Sequence, residues 1–213
     1  MKVDIIVQGY QLFLKGGPIM FLLLACSFAV VAIGVERYLY FRTTKTPMET
    51  FLDRLSPVLA AADWNAAQAL CGQSGGVAAT IAAKGVAGLQ QRNQYLTTLL
   101  EGEAALAAAK MRENLRHLNT IVTVAPLLGL LGTVLGMIQS FSVLNVKTGQ
   151  PLAITGGVGE ALVATATGLC VAIISLAVYS YFNHLLDKRI TDMEQVCTLI
   201  IAQAKWGDGH ETA

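Results

Sequence analysis

Four polar side chains of this 213-residue chain could line a polar passage, namely Thr133, Thr165, Thr167 and Glu160. Each lies within or at the edge of a segment that is otherwise apolar or small. A threonine hydroxyl does not titrate at ordinary pH, but it hydrogen-bonds water and carboxyl groups. A carboxylate near a membrane segment is expensive unless it faces protein or water, although a helix N-terminus would also favour it. These residue types therefore indicate a polar passage or a helix contact rather than a lipid-facing surface.

Small residues accompany these side chains at helical spacing, because steps of three or four residues return to the same face of a helix. One stripe comprises Gly129, Gly132, Thr133, Gly136 and Ser140, and a second comprises Ala161, Thr165, Gly168, Ala172 and Ser175. Small residues allow two helix backbones to approach closely, with the hydroxyls bonding to the preceding turn of their own helix. From the residues alone, packing and a polar passage are both open.

The elements that position these residues are long and poor in charge. No charged residue occurs in 16–35 or in 118–146, and the only ionisable side chain in 161–186 is His184. Charged residues make up 14% of the chain, against roughly 25% in soluble domains. At about 1.5 Å per residue, each run can cross a hydrocarbon core of roughly 30 Å. The sequence predicts an all-α polytopic membrane protein with three transmembrane helices, of which the second and third extend into the cytoplasm.

The first span also needs comparison with a cleaved signal, because Leu23-Leu24-Ala25-Cys26 resembles a lipoprotein processing site. The apolar core of a signal is about 7 to 15 residues long and ends at the cleavage site. Here apolar sequence continues to Val35. We therefore expect a retained helix.

The positive charges predict the orientation. They cluster at Arg37, Arg42, Lys110, Arg112, Arg116, Lys188 and Arg189, with only Lys2, Lys15 and Lys147 on the other side. By the positive-inside rule, the N-terminus is periplasmic and the C-terminus cytoplasmic. The expected segments are an outward N-terminal segment at 1–17, membrane helices at 18–42, 118–144 and 159–183, a cytoplasmic helical region at 43–117, a short periplasmic loop at 145–158 and a cytoplasmic extension at 184–213.

The cytoplasmic region is rich in alanine and interrupted by proline and glycine. Its hydrophobic pattern predicts short helices over Met48 to Leu59 and Ala60 to Leu70, and a longer one over Thr80 to His117. About 75 residues can form a small helical subdomain but not a large independent core. We expect no catalytic domain there.

Patterns typical of enzymes are absent from the sequence. Cys26, Cys71, Cys170 and Cys197 lack the spacing of metal ligands, and no Gly-Lys-Ser/Thr follows the glycines of the second span. We expect no cofactor, no metal and no nucleic-acid partner. No Asp, Glu, Lys or Arg occupies the middle of any span. If protons cross, the group that carries them must therefore belong to another chain.

Two segments resemble the signature segments of a known family. They read Ala-Pro-Leu-Leu-Gly-Leu-Leu-Gly-Thr-Val-Leu-Gly-Met at 125–137 and Gly-Glu-Ala-Leu-Val-Ala-Thr-Ala-Thr-Gly-Leu at 159–169. The chain resembles the MotA/TolQ/ExbB proton channel family in these segments, and its ExbB/TolQ branch in length, three spans and large first cytoplasmic loop. One departure is Ala172-Ile173-Ile174-Ser175, where the family often has a proline.

The resemblance implies an inner-membrane motor driven by the proton-motive force. It implies a homopentamer enclosing the single membrane helices of an ExbD- or TolR-like partner, whose aspartate carries the proton. Thr133 and Thr165 match pore-lining hydroxyls, and Glu160 matches the acidic residue at the start of the third span. Pro126, Gly129, Gly132 and Gly136 match positions that shape the second helix, while Ala161 and Gly168 belong to the packing stripe of the third.

The output implied by the resemblance is mechanical work across the periplasm through a TonB- or TolA-like protein. TonB-dependent outer-membrane import is the function we expect. The alternatives are a TolQ-type motor for envelope constriction and, from another class, a non-conducting membrane scaffold. The hydroxyls do not distinguish a proton from a sodium ion.

Overall fold

The computed structural model describes residues 17–91, 93–144 and 151–210, except for the side chains of 142–144, 151–156, 160 and 205–210. The described chain is helical, and no residue of it lies in a strand. The helices are α1 Ile19–Thr43, α2 Met48–Ala60, α3 Trp64–Ser74, α4 Gly76–Gln90, α5 Leu96–Leu144 and α6 Pro151–His210. The predicted all-α fold is confirmed. Three helices, α1, α5 and α6, are long and apolar enough to cross a membrane.

One compact unit contains the chain up to Val35 together with Asn114–Tyr181. Its core joins the start of α1 to α5 and α6, and comprises Ile19, Met20, Leu23, Ala125, Ala164, Val171 and Ala172. Much of the remaining apolar surface points outward: Phe28 of α1, for example, is 75% exposed. Such a surface suits contact with lipid or with other apolar helices, because burying it would remove it from water.

The second compact unit contains Glu36–Glu113 and Phe182–Ala213. Phe51, Leu55 and Leu59 recur on one face of α2 and are fully buried. The guanidinium of Arg37 is also buried, where it donates to the Met111 carbonyl at 3.2 Å and pairs with Glu36. Because a buried charge needs partners, these contacts fix the end of α1 against α5.

A short clasp joins the segment after α1 to the turn between α3 and α4. Thr46 Oγ1 donates to the Gly75 carbonyl at 3.0 Å, and the Val77 amide donates to the Thr44 carbonyl at 3.3 Å. Gly75 and Gly76 both have positive φ, at 63° and 82°. Glycine adopts this region without the penalty that a Cβ brings.

Two predicted helix boundaries between the first and second spans were wrong. The structure interrupts the helix expected over Thr80 to His117, because Asn93 accepts from the Tyr95 amide at 2.9 Å and so offers the backbone an alternative to the helix. The helix expected at Ala60 begins at Trp64, where the Asp63 side chain caps it by accepting from the Ala66 amide at 3.0 Å.

The third long helix begins at Pro151 rather than at residue 159. Proline suits the first helical position, since its fixed φ matches the helix and its missing amide would have no partner there. Part of the expected loop at 145–158 is therefore helical, and 145–150 lie outside the described residues, as do 1–16 of the expected N-terminal segment.

Candidate functional site: the crossing of α5 and α6

The crossing of α5 and α6 is built from glycine and alanine. A Cβ placed on Gly132 would lie 2.6 Å from the Cβ of Ala164, and one on Gly136 would lie 2.9 Å from the Cβ of Ala161. One on Gly129 would lie 3.0 Å from the Cα of Thr165. The structure thus brings together the glycine stripe of α5 and the small-residue stripe of α6, with no space for a side chain on the glycines.

The contact continues on the other side of Gly129. A Cβ placed on Gly168 would lie 2.7 Å from the carbonyl oxygen of Ala125. Pro126 follows inside α5, where it removes one backbone donor from the helix ladder. Sequence reasoning missed Ala125 and Ala164, which are both almost fully buried. Their only signal was their small size and their spacing from Gly129 and Gly168.

Thr165 forms the polar contact across this crossing. Its half-buried hydroxyl donates to the Gly129 carbonyl at 2.9 Å. The packing interpretation expected each hydroxyl to bond the preceding turn of its own helix, and Ser140 and Ser175 do so. Thr165 differs because the missing side chain of Gly129 exposes a backbone carbonyl to it. Its oxygen can still accept a hydrogen bond while it donates this one.

Thr133 lies one helical turn beyond Gly129 on α5. Its half-buried hydroxyl donates to the Leu130 carbonyl at 2.6 Å, within its own helix. The structure therefore places Thr133 and Thr165 on either side of the same crossing, each with an oxygen that can accept a further hydrogen bond.

Glu160 lies in α6, one turn before Ala164. Its side chain falls outside the described part of the structure. The position of its carboxylate relative to Thr133 and Thr165 stays a prediction.

Among the described residues of the crossing, the polar groups are hydroxyls and backbone carbonyls. The sequence has no Asp, Glu, Lys or Arg in 118–146 or in 161–186. Among the described residues, no three His, Cys, Asp or Glu side chains lie close enough to hold a metal ion. Away from the crossing, on α3, burial raises the pKa of the Cys71 thiol to about 11. This disfavours the thiolate form that a metal would bind. Chemically, the crossing can position water or an incoming carboxyl group.

The chain is similar to a known protein family and to several known proteins. The sequence model of the MotA/TolQ/ExbB proton channel family matches residues 74–195, which include the whole crossing. An ExbB-like biopolymer transport protein of Synechocystis sp. is 36% identical over 118 residues, covering 53% of this chain and 46% of the relative. An ExbB homologue of Methanothermobacter thermautotrophicus is 40% identical over 99 residues, covering 46% of this chain and 34% of the relative.

A biopolymer transport protein of the ExbB type from Vibrio cholerae is 32% identical over 123 residues, covering 55% of this chain and 54% of the relative. The chain thus spans about half, or less, of the length of these relatives.

Proposed function

Because this chain belongs to the MotA/TolQ/ExbB proton channel family, we propose that it is the ExbB-like subunit of an inner-membrane motor. In this motor an ExbD- or TolR-like partner with a single membrane helix supplies the proton-carrying carboxylate. The observation that carries the proposal is the crossing itself: it holds the hydroxyls of Thr133 and Thr165 within two segments, 118–146 and 161–186, that contain no Asp, Glu, Lys or Arg.

The hydroxyls would act by hydrogen bonding, not by titration. Both donate to backbone carbonyls, so each presents lone pairs to a protonated carboxyl group or to water. Neutralising the partner's carboxylate lowers the free-energy cost of moving it past an apolar wall. Inward proton flow would thereby let the partner's helices rotate or shift against this subunit, and deliver work across the periplasm.

The assembly we propose is a homopentameric ring around the partner's helices, with the N-terminus periplasmic and the C-terminus cytoplasmic. The clusters of Lys and Arg at the ends of the spans support this orientation. The apolar surfaces exposed on α1, α5 and α6 support contacts with lipid and with further helices. TonB-dependent import is the output we propose, through a TonB-like protein.

The experiment is replacement of Thr165 by Val in cells that depend on the complex for uptake. Thr165→Val keeps the shape but removes the hydroxyl, and we expect proton-dependent uptake to fall at least about tenfold. Thr165→Ser restores a hydroxyl and should restore most of the uptake. The matched control is Thr167→Val, because the Thr167 hydroxyl donates to the Val163 carbonyl of its own helix. Unchanged uptake in Thr165→Val would contradict the proposed role.

A non-conducting scaffold is the second candidate, and the hydrogen bonds favour it in one respect. The donor of Thr165 is already used to hold α6 against Gly129, which is a structural role. A scaffold predicts that the double variant Thr133→Val/Thr165→Val keeps its function whenever the complex still assembles. Measuring assembly and uptake on the same variant separates the two functions.

A further inference from the structure

An apolar ridge lies in the second compact unit, which contains Glu36–Glu113 and Phe182–Ala213. It begins at Tyr95, just before α5, and continues along the first turns of α5. It consists of Tyr95, Leu99, Gly102 and Leu106, which steps of three or four residues place on one helix face. Tyr95 is 74% exposed and Leu106 is 68% exposed. Nothing lies within 4 Å of a Cβ built on Gly102. This segment precedes the charge-free run of α5, so lipid does not account for its apolar surface. A contiguous apolar strip in water marks an interaction site.

An open groove with complementary chemistry lies in the same unit, between α2 and α6. Its volume is about 890 Å³. Leu52, Ala60, Leu199 and Ala202 supply apolar surface, and Asp53 and Glu194 supply negative charge. None of the described residues that line the groove is basic. The groove and the ridge share no residue, so one copy can use both at once.

The ridge and the groove lie at matching heights. A Cβ built on Gly85 would lie 3.1 Å from Leu100 of α5 and 2.7 Å from Ile200 of α6. These two residues therefore lie at about the same height along the helix axes. Within this unit α5 ends at Glu113 and α6 starts at Phe182, so the two helices run in opposite directions. Counting from Leu100 and Ile200, Leu99 then lies close to the level of Ile201 and Ala202, and Leu106 close to that of Glu194.

Rotation about an axis parallel to the helices leaves these heights unchanged. It therefore carries the ridge of one copy to the level of the groove on the next copy, which is the requirement for a head-to-tail ring. The charges also agree. Lys110 is exposed one turn beyond Leu106, where it can approach the acidic side of a neighbouring groove at Glu194.

We propose that the ridge of one copy docks into the α2–α6 groove of the next copy. A head-to-tail contact outside the charge-free spans then closes the ring. The inference rests on the proposed function only in taking the chain to assemble with copies of itself.

Disulfide cross-linking tests this contact in the complex with its single-span partner. In a variant whose four native cysteines are alanine, Leu99→Cys and Ala202→Cys are combined and the complex is oxidised in mild detergent. We expect a ladder of covalent oligomers up to the size of the ring, and no ladder from either cysteine alone. The control pair is Leu99→Cys with Gln68→Cys, since Gln68 is exposed on α3, away from the groove.

A charge exchange in the native background gives a second test that does not depend on removing cysteines. Leu106→Glu places a carboxylate opposite Glu194, and we expect association weaker by roughly tenfold. Adding Glu194→Lys should restore most of it. Both positions are exposed, so the fold does not depend on either side chain.

The outcomes separate the docking surface from the proposed function. A full-sized oligomer without the Leu99–Ala202 ladder, or with no effect of Leu106→Glu, overturns the docking surface and leaves the motor intact. Covalent dimers from Leu99→Cys alone would show a symmetric ridge-to-ridge contact and also overturn it. A chain that stays monomeric with and without its partner contradicts the proposed function as well.

Discussion

At Gly132, α5 and α6 leave no room for a side chain. Gly132→Ala puts a Cβ 2.6 Å from that of Ala164, well inside the 3.5–4 Å of an ordinary carbon contact. We expect a loss of about 1–3 kcal/mol in the free energy of unfolding, because neither backbone can move away alone. Thermal unfolding in detergent measures it. The control is Gly72→Ala on α3, where a Cβ meets nothing within 4 Å and helix propensity favours alanine. An equal effect of both substitutions would contradict the tight crossing.

Residue spacing predicted which small residues share a helix face, but not how their hydroxyls bond. Thr133 donates to its own helix at Leu130, as the packing interpretation expects. Thr165 donates across to Gly129 instead. That bond depends on the rotation and height of one helix against the other, which the contact between Gly132 and Ala164 sets. Periodicity within one helix contains no information about this relation.

At the scale of elements, the turn before α4 depends on glycine for two different reasons. Gly75 and Gly76 both have positive φ, but only at Gly76 would a Cβ collide with Thr46 and the Lys45 carbonyl. Each alanine substitution should lose about 1–2 kcal/mol from the left-handed backbone. Gly76→Ala should lose more, because it also breaks the clasp.

Limited trypsin digestion detects this difference. Lys45 is exposed and lies within the clasp, so its release should speed cleavage there. We expect faster cleavage after Lys45 in Gly76→Ala than in Gly75→Ala. The same rate in both variants would mean that the clasp does not hold the segment after α1.

Hydrophobic periodicity predicted the long helices better than the short breaks between them. The charge-free runs required α1, α5 and α6 to be long, and they are. At the break before Leu96, the Asn93 side chain accepts a hydrogen bond from the Tyr95 amide. Apolar positions continue on both sides of this break, so a count of them cannot reveal it.

At the scale of the whole molecule, the missing charge in the spans leads to a test of composition. If another chain carries the proton, purification with the candidate single-span partner should retain that partner at fewer copies than this chain. We expect a symmetric oligomer whose mass, measured in mild detergent, increases by the partner's contribution. An assembly whose mass and composition ignore the partner would favour the scaffold.

Where α5 and α6 cross, most of the contacting residues are glycine and alanine, which have no side-chain rotamers. Glycine and alanine lose no side-chain conformational entropy when they are buried, whereas a leucine loses up to about 1 kcal/mol. Forming this contact therefore costs little side-chain conformational entropy. Separating the two helices requires no side chain to repack. The hydrogen bond from Thr165 to the Gly129 carbonyl joins α6 to α5, and a displacement of α6 along α5 must break it.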